Sequence, residues 1–295
     1  MEARRIGWLG ALWQGVDFVR KIVNNSRYDL VNNRFEGGRV TVIAVLGLGE
    51  AGRLYALDLH AAGYQVRGFD PYVELGDDRV DQVATIEQAT AGVDLVISLV
   101  GARVAEDVAR QALPHCPSHA VYADFNTGSP ALKRTLAQVA AAHQVAFVDI
   151  AVMAPVPRRG AGTPLLAAGP GTETFASLVG AAGVPVDTVP GGAGAAASRK
   201  LLRSVFMKGM AALMLECRAA ATAAGQDAWL RQQILDELTG DVDQLIDRLI
   251  DGSRTHAARR VHEVEDAIEY LTQLGQPSWV MSGTRTWLTS LRDER

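Results

Sequence analysis

The most constraining feature of this sequence is a glycine-rich turn that directly follows an apolar run. Residues 40–46, VTVIAVL, form a continuous apolar run rich in β-branched residues, which is typical of a strand buried on both faces of a parallel sheet. The next residues, GLGEAG, place three glycines in the spacing GxGxxG and lead into a segment with apolar residues at helical spacing. We therefore predict a strand, a tight turn and a helix that begins at the turn.

Each glycine has a separate physical task if this turn binds a dinucleotide. Gly47 permits the tight turn, Gly49 lets the backbone approach a pyrophosphate, and Gly52 lets helix and strand pack closely. The second predicted strand, YQVRGFD, ends at Asp70, whose carboxylate would accept hydrogen bonds from an adenosine ribose. The predicted cofactor-binding residues are Gly47, Leu48, Gly49, Glu50, Ala51, Gly52, Asp70, Leu99 and Val100.

The cofactor prediction is NAD or NADP, with NAD slightly favoured. Asp70 would repel a ribose 2′-phosphate, whereas Arg53 or Arg67 could assist one. Glycine-rich turns also serve plain packing or cofactors such as S-adenosylmethionine, and these alternatives stay open. A methyltransferase is disfavoured because its acidic residue should follow a differently built first turn.

The rest of the chain alternates strands and helices and then becomes helical. Further apolar runs occur at 64–70, 93–100, 120–125 and 145–150, with shorter ones at 163–169 and 184–190. Such alternation predicts an α/β fold, a Rossmann-type doubly wound parallel sheet. A long interdomain helix at 195–224 and an all-α C-terminal domain follow, with helices at 227–239, 241–251, 255–274 and 277–292. The predicted domains are an extension at 1–39, a dinucleotide-binding domain at 40–192 and a helical substrate and dimerisation domain at 193–295.

Composition favours a small-molecule partner. The formal net charge is −4, and nucleic acid or an anionic membrane would usually require a basic excess. The two cysteines, Cys116 and Cys217, form no CxxC pair, so we predict neither disulfides nor a metal site. This cysteine usage also favours a cytoplasmic protein. Residues 1–13 contain a short apolar run interrupted by glycines, and residues 14–39 are polar and not clearly periodic, so we predict an extension outside the main fold. One hypothesis places the natural start at Val40. The segment PHCPSH, from Pro114 to His119, reads as a surface loop.

The long helix carries three cations among apolar residues. Lys200, Arg203 and Ser204 share one face, and Lys208 lies at its edge. Because the other sides are apolar, we predict a buried helix whose cations face a polar cleft between the domains. A lysine there, its pKa lowered by desolvation and cationic neighbours, could exchange a proton with a substrate hydroxyl near neutral pH. The structural alternative is that the lysines extend outward and Arg203 pairs with a carboxylate.

These residues resemble the β-hydroxyacid dehydrogenase superfamily, which includes 3-hydroxyisobutyrate and 6-phosphogluconate dehydrogenases. The resemblance covers about residues 41–292 and is closest to a branch with a 6-phosphogluconate dehydrogenase-like C-terminal domain. The lysine motif GxGxxxKxxxN appears as Gly194, Ala196, Lys200 and Ser204, with alanine in place of the second glycine and serine in place of asparagine. The pattern KxxRSxxxKG of the branch is intact from Lys200 to Gly209.

The resemblance implies Lys200 as the catalytic general acid and base of an NAD(P)-dependent oxidoreductase. Its substrate would be a small anionic β-hydroxyacid or its keto or semialdehyde form. The segment DFNTGSP resembles the family segment near nicotinamide and substrate, although an Asx-type turn before Pro130 competes with that interpretation. The predicted substrate-binding residues are Asn126, Thr127, Arg203, Ser204 and Lys208. The family also implies a homodimer through the helical domain.

The family's substrate motif DAPVSGG departs from its pattern here. It corresponds to DIAVMAP from Asp149, in which Met153, Ala154 and Pro155 replace Ser-Gly-Gly. Imine reduction, oxidative decarboxylation and a non-catalytic dinucleotide sensor are therefore kept as alternatives.

A polar stripe further along the helical region has two interpretations. His256, Arg259, Arg260 and Glu263 recur at helical spacing opposite apolar residues, which favours a solvated face. Alternatively, His256 and Arg260 reach a substrate carboxylate in a partner subunit.

Overall fold

The computed structural model describes residues 40–294, and the predicted extension at residues 1–39 lies outside that range. The chain divides into two compact units, and the boundary falls between Leu201 and Leu202. This boundary lies inside the helix Ala195–Ala223, so the first residues of that helix belong with the sheet. The domain limits predicted at residues 192 and 193 stay a prediction.

The first unit contains one eight-stranded sheet. Its strands are β1 (Val42–Leu46), β2 (Gln65–Phe69), β3 (Asp81–Gln82), β4 (Leu95–Ser98), β5 (Val121–Asp124), β6 (Ala146–Val152), β7 (Leu165–Ala168) and β8 (Val186–Thr188). Their order across the sheet is β3-β2-β1-β4-β5-β6-β7-β8. Strand β1 pairs with β2 on one side and with β4 on the other, so the strand order reverses at β1. Ligands in open α/β sheets bind at such a switch point, outside the carboxyl ends of the strands.

Helices cover both faces of this sheet. The helices of the first unit are α1 (Glu50–Ala61), α2 (Ile86–Thr90), α3 (Ala105–Ala112), α4 (Pro130–Ala142) and α5 (Thr172–Gly180). The side chains of β1 alternate between two hydrophobic cores, with Ile43 and Val45 in one and Val42, Ala44 and Leu46 in the other. A strand buried on both faces needs a continuous apolar run, which residues 42–46 provide. The predicted doubly wound fold is thereby confirmed.

Two details of the sheet differ from the prediction. Strand β3 was not predicted, because a two-residue edge strand of Asp81 and Gln82 has no apolar pattern. Strand β7 runs antiparallel to β6, although a parallel sheet was predicted. A parallel return needs a long crossover, usually a helix, whereas only the short 3-10 helices Val156–Arg158 and Gly160–Gly162 lie between these strands.

The second unit is helical, as predicted. Its helices are the continuation of α6 (Ala195–Ala223), then α7 (Asp227–Thr239), α8 (Val242–Thr255), α9 (Ala257–Gln273) and α10 (Trp279–Asp293). Glu216, whose role could not be assigned from sequence, is buried, and its two carboxylate oxygens accept hydrogen bonds from the N–H groups of Val280 and Met281 at 2.8 and 2.9 Å. A carboxylate from α6 therefore caps the first turn of α10.

The prediction that the whole of α6 is buried is wrong for the single chain. Val205 is 74% exposed and Phe206 is 61% exposed, and Leu202 and Leu215 are also exposed. Their apolar pattern is helical, but within residues 40–294 these side chains retain access to solvent. None of the helices in that range is long and apolar enough to span a bilayer.

Candidate active site

The glycine-rich turn lies at the carboxyl end of β1. Gly47 has a φ of +91°, and a Cβ atom there would lie 2.6 Å from the carbonyl oxygen of Leu99. A Cβ atom at Gly52 would lie 1.8 Å from the carbonyl oxygen of Gly47, because helix α1 touches the turn with its backbone. At Gly49, in contrast, no atom of the described structure lies within 4 Å of the Cβ position. The turn is therefore closed towards the protein and open at Gly49.

Helix α1 begins at this turn without a side-chain cap. Gly49 is the N-cap residue, and the first intrahelical bond runs from the N–H of Arg53 to the carbonyl oxygen of Gly49 at 3.0 Å. The N–H groups of Glu50, Ala51 and Gly52 precede this bond, so the helix itself offers them no acceptor. Such an N-terminus provides donors and a partial positive charge for a phosphate group. The chemistry of the turn therefore fits the pyrophosphate of a dinucleotide.

Asp70 has a structural task in addition to the one predicted for it. Its Oδ2 accepts a hydrogen bond from the N–H of Leu48 at 2.8 Å, which ties the end of β2 to the glycine-rich turn. Its Oδ1 accepts hydrogen bonds from the N–H groups of Tyr72 and Val73 at 2.9 and 3.1 Å. The carboxylate is half-buried beside the turn. A carboxylate oxygen can accept more than one hydrogen bond, so contact with a ribose hydroxyl is compatible with these bonds.

The next strands of the sheet end beside the turn. Leu99 and Val100 directly follow β4, are half-buried, and Leu99 contributes the carbonyl oxygen that faces Gly47. Asn126 follows β5 and is only 4% exposed. Its Oδ1 accepts a hydrogen bond from the N–H of Gly101 at 2.6 Å, and its Nδ2 donates to Ser98 Oγ at 3.0 Å and to Asp124 Oδ1. Both amide hydrogens of Asn126 are thus used within the protein. The substrate contact predicted for Asn126 stays a prediction, whereas its bonds favour a role in shaping the loop.

Lys200 and Thr127 lie close together at the carboxyl ends of the parallel strands, which is the edge of the sheet that also carries the glycine-rich turn. The Nζ atom of Lys200 donates a hydrogen bond to Thr127 Oγ1 at 3.0 Å, across 73 residues of sequence. Thr127 is exposed and Lys200 is half-buried. Together with Asn126 and Gly128, they line a small pocket in the first unit. A primary amine and a hydroxyl, the two groups that could move a proton to or from a bound ligand, are therefore adjacent.

A buried ionic cluster lies beneath this pair. Lys133, on α4, is 1% exposed, and its Nζ atom lies 2.7 Å from Asp124 Oδ2 and 3.2 Å from Asp149 Oδ1. Nζ also donates a hydrogen bond to the carbonyl oxygen of Asp124 at 2.7 Å. Asp149 Oδ2 accepts hydrogen bonds from the N–H groups of Gly194 and Ala197, both at 3.0 Å, at the start of α6. Asp149 therefore caps the helix that carries Lys200.

The cluster contains two carboxyl groups for one ammonium group. Burial raises the pKa of the Asp124 carboxyl above its usual range, and the Lys133 ammonium opposes this shift by favouring the charged form. The N-terminus of α6 supplies the partial positive charge that faces Asp149. Buried charges that are paired and hydrogen-bonded in this way are tolerated in a protein interior.

Sequence reasoning missed Lys133 and the capping role of Asp149. One signal was available: Lys133, Leu136 and Ala140 recur at helical spacing and share the buried face of α4. A lysine on the apolar face of an amphipathic helix indicates a buried partner of opposite charge. The partner itself could not be identified, because Asp124 and Asp149 lie on two strands whose proximity depends on the sheet order.

The remaining predicted residues lie on α6 beyond the unit boundary. Arg203 and Lys208 are exposed and Ser204 is half-buried, and all three belong to the second unit. Their contribution to a substrate site stays a prediction.

The polar stripe of α9 contains ordinary surface pairs. Arg259 forms an exposed ion pair with Glu263 at 2.8 Å, and Arg260 donates a hydrogen bond to Ser253 Oγ at 2.7 Å. These contacts support the solvated-face interpretation. Within residues 40–294, the side chains of His, Cys, Asp and Glu form no group of three or more that could hold a metal ion.

Comparison with protein families gives two matches along the chain. Residues 42–179 match the family described as the NAD binding domain of 6-phosphogluconate dehydrogenase. Residues 221–291 match a domain of unknown function, DUF1932. Together the two matches agree with the resemblance inferred from the sequence motifs.

The chain is also similar to individual proteins, among them one sequence relative and two proteins of known structure. An uncharacterized 28.5 kDa protein in the 7S RNA 5′ region of Methanothermus fervidus is 30% identical over 173 residues, which are 58% of this chain and 65% of the relative. The match therefore covers less than two thirds of that relative's length. A conserved protein of unknown function, whose structure is described as similar to 3-hydroxyacid dehydrogenases, is 26% identical, with a TM-score of 0.57 over 85% of this chain and 97% of that one. A reductive aminase from Aspergillus terreus, in complex with NADPH and ethyl levulinate, shares the fold at 22% identity, with a TM-score of 0.70 over 87% and 95% of the two chains.

Proposed function

We propose that the chain is an NAD(P)-dependent oxidoreductase, because residues 42–179 match the NAD-binding domain of 6-phosphogluconate dehydrogenase and residues 221–291 match DUF1932. The reaction is hydride transfer between nicotinamide and a small anionic β-hydroxyacid or its keto or semialdehyde form. One observation carries the proposal: Lys200 Nζ lies 3.0 Å from Thr127 Oγ1 at the sheet edge that also bears the glycine-rich turn. A proton-transfer group and a dinucleotide turn at one edge are what such a reaction needs.

The residues of the turn would hold the cofactor. The backbone of Gly47–Gly52 and the start of α1 would bind the pyrophosphate, Asp70 the adenosine ribose, and Leu99 and Val100 would border the bound dinucleotide. The negative charge of Asp70 favours NAD over NADP. The bound nicotinamide would supply hydride acceptance or donation.

Lys200 would move the proton that accompanies the hydride. In the oxidative direction, its neutral amine accepts the proton of the substrate β-hydroxyl at Nζ. In the reductive direction, the ammonium returns that proton to the carbonyl oxygen. Thr127 Oγ1 accepts a hydrogen bond from Nζ in either protonation state, and this bond keeps the amine on the side of the pocket.

Imine reduction is the second candidate, and the loop after β6 favours it. Met153, Ala154 and Pro155 stand where the family motif has Ser-Gly-Gly. The N–H of Met153 already donates to the carbonyl oxygen of Pro164 at 2.9 Å, and proline has no N–H. Two of the three backbone positions therefore cannot donate to a substrate carboxylate. A substrate with less anionic character, such as an imine, fits this loop.

The homodimer predicted from the family resemblance is part of the proposal. Val205 and Phe206 place large exposed apolar surface on α6, and exposed apolar patches of this kind mark interaction sites. We expect a dimer of the wild-type chain by sedimentation and a shift to monomer in Phe206→Glu. A wild-type monomer at micromolar concentration would refute the dimer without touching the catalytic proposal.

The enzymatic proposal is tested by comparing binding with turnover. Lys200→Ala should bind NADH or NADPH as the wild type does, while kcat falls about 100- to 10,000-fold, the usual contribution of a general acid or base. Arg199→Ala is the matched control, because it removes a neighbouring cation that donates to the carbonyl oxygen of Ala195 instead. The substrate panel contains β-hydroxyacids with NAD⁺ or NADP⁺ and cyclic imines with NADH or NADPH. Cofactor binding without turnover on any of them would favour the sensor alternative, and equal kcat in both variants would refute the role of Lys200.

A further inference from the structure

The cluster of Lys133, Asp124 and Asp149 is not needed to explain a packed interior. Replacing a buried ion pair with apolar residues of similar volume is often neutral or stabilising, because desolvation offsets the Coulomb attraction. Lys133 is 1% exposed and meets two carboxyl groups that are fully buried. Packing alone therefore does not explain why charged residues occupy these positions, whereas their hydrogen bonds to neighbouring segments can.

One branch of the cluster leads to the helix that carries Lys200. Asp149 Oδ2 accepts hydrogen bonds from the N–H groups of Gly194 and Ala197, and Ala197 lies one helical turn before Lys200. Gly194 has a φ of +97°, and a Cβ atom there would lie 2.8 Å from the carbonyl oxygen of Pro130. The start of α6 is thus fixed against both Asp149 and the start of α4, and Lys133 contacts the other oxygen of the same carboxylate.

The other branch leads to the loop that carries Thr127. Lys133 Nζ contacts the carboxylate and the carbonyl oxygen of Asp124, and Asp124 Oδ1 accepts a hydrogen bond from Asn126 Nδ2. Asn126 in turn holds the backbone of Gly101 through its Oδ1. Thr127 is the residue that follows. The two branches therefore end on the two partners of the Lys200–Thr127 hydrogen bond.

We propose that Lys133 is a positioning residue that sets the geometry of the Lys200–Thr127 pair through Asp149 on one side and Asp124 on the other. The ammonium of Lys133 holds the two carboxylates side by side, so the helix start and the loop keep one relative placement. The catalytic meaning of this placement rests on the proposed function. The placement itself can be measured without any turnover.

Amine labelling provides such a measurement. The chain has only four lysines, Lys21, Lys133, Lys200 and Lys208, so peptide mass spectrometry can follow each one separately. Labelling with trace acetic anhydride at one pH gives the rate at Lys200 relative to the exposed Lys208. Thr127→Val calibrates the ratio, because it removes the acceptor of the Lys200 hydrogen bond. Loss of one hydrogen bond of ordinary net strength corresponds to a rise of about fivefold.

The test variant is Lys133→Met/Asp124→Asn, which removes the ion pair without changing the net charge of the cluster. Asparagine at 124 can still accept the hydrogen bond from Asn126, so the substitution acts mainly on the contacts of Lys133. Asp149→Asn is the second variant if the first does not fold. Thr85→Val is the matched control: it removes the cap of α2, whose hydroxyl accepts from the N–H of Gln88 at 3.2 Å, and should lower the Tm without moving the labelling ratio.

We expect the labelling ratio of the test variant to rise towards that of Thr127→Val, with kcat lowered and cofactor affinity retained. A wild-type ratio in the folded test variant, while Thr127→Val raises it, would overturn the inference. A ratio that Thr127→Val leaves unchanged would overturn it too, because Thr127 would then not restrain Nζ. If the ratio rises but even the wild type turns over no tested substrate, the positioning role stands and the proposed function fails.

Discussion

Two alanine substitutions in the glycine-rich turn, only three residues apart, should affect different properties: Gly49→Ala should weaken cofactor binding, and Gly52→Ala should lower stability. Gly49 has a φ of −61° and open space at its Cβ position, so alanine there meets no atom of the described protein. At Gly52 a Cβ atom would lie 1.8 Å from the carbonyl oxygen of Gly47, far inside any real contact. One substitution fills the surface on which a cofactor would lie, and the other forces helix α1 away from β1.

The magnitudes follow from this geometry. Gly49→Ala should leave the free energy of unfolding unchanged or raise it by up to about 1 kcal/mol, because alanine loses less backbone entropy on folding. If the methyl group displaces two charge-assisted hydrogen bonds to phosphate, at roughly 1.5–3 kcal/mol each, cofactor affinity falls at least about 100-fold. Gly52→Ala must move the backbone by about 1 Å or more, and overpacking of this kind costs about 3 kcal/mol.

Urea unfolding and fluorescence titration with NADH and NADPH separate the two effects. We expect Gly49→Ala to unfold at the wild-type urea concentration or slightly above it, and to bind neither nucleotide measurably. Gly52→Ala should unfold at a clearly lower urea concentration. Nucleotide affinity within about twofold of wild type in Gly49→Ala would refute the placement of a pyrophosphate at this turn.

Three further outcomes follow from contacts described above. Asp70→Ala should weaken NADH binding more than NADPH binding and also cost about 1–3 kcal/mol of unfolding free energy, because three backbone N–H groups lose their acceptor; titration and urea unfolding measure the two parts. Glu216→Ala should lower the stability of the helical unit by about 1–2 kcal/mol, seen in hydrogen exchange of α10, and unchanged exchange there would contradict the cap. Burial raises the pKa of Asp124 in the folded state, so just above the ordinary carboxyl pKa of about 4 the native protein still holds a proton that the unfolded chain has released, and Asp124 ionises to pair with Lys133 as the pH rises further. The free energy of unfolding of the wild type should therefore fall relative to that of Asp124→Asn as the pH rises. A difference between the two proteins that stays constant from about pH 4 to 7 would contradict this prediction.

The local part of the fold was predictable from sequence because it depends on neighbouring residues. The run at 42–46, the three glycines and the following amphipathic segment fixed the first strand, the turn and α1. The direction of β7 was not predictable, because the apolar run of Leu165–Ala168 is the same in either orientation. Its direction follows instead from the shortness of the connection after β6.

In the candidate site, too, some residues were predictable from sequence and others were not. The family motif nominated Lys200, and the resemblance of DFNTGSP to a family segment nominated Thr127 as a substrate-binding residue. The structure places the two side chains 3.0 Å apart, a contact that was not predicted, and their roles stay predictions. Lys133 was missed because its partners come from β5 and β6, and only the order of the strands brings them together. The expected burial of α6 within the single chain was wrong. An apolar helix face predicts that another surface covers it, but that surface need not belong to the same chain.

The position of the unit boundary has a consequence for how such proteins can diversify. Lys200 falls on the sheet side of the division at Leu201, together with Thr127 and the capping carboxylate of Asp149. A recombination event that joined a different helical region after Leu201 would inherit the glycine-rich turn and Lys200, the residue proposed to transfer the proton, as one contiguous piece. Everything from Leu202 onward, including Arg203 and Lys208, would be exchanged. Under the proposed function, such an exchange would replace predicted substrate-binding residues and retain the residues proposed for cofactor binding and proton transfer.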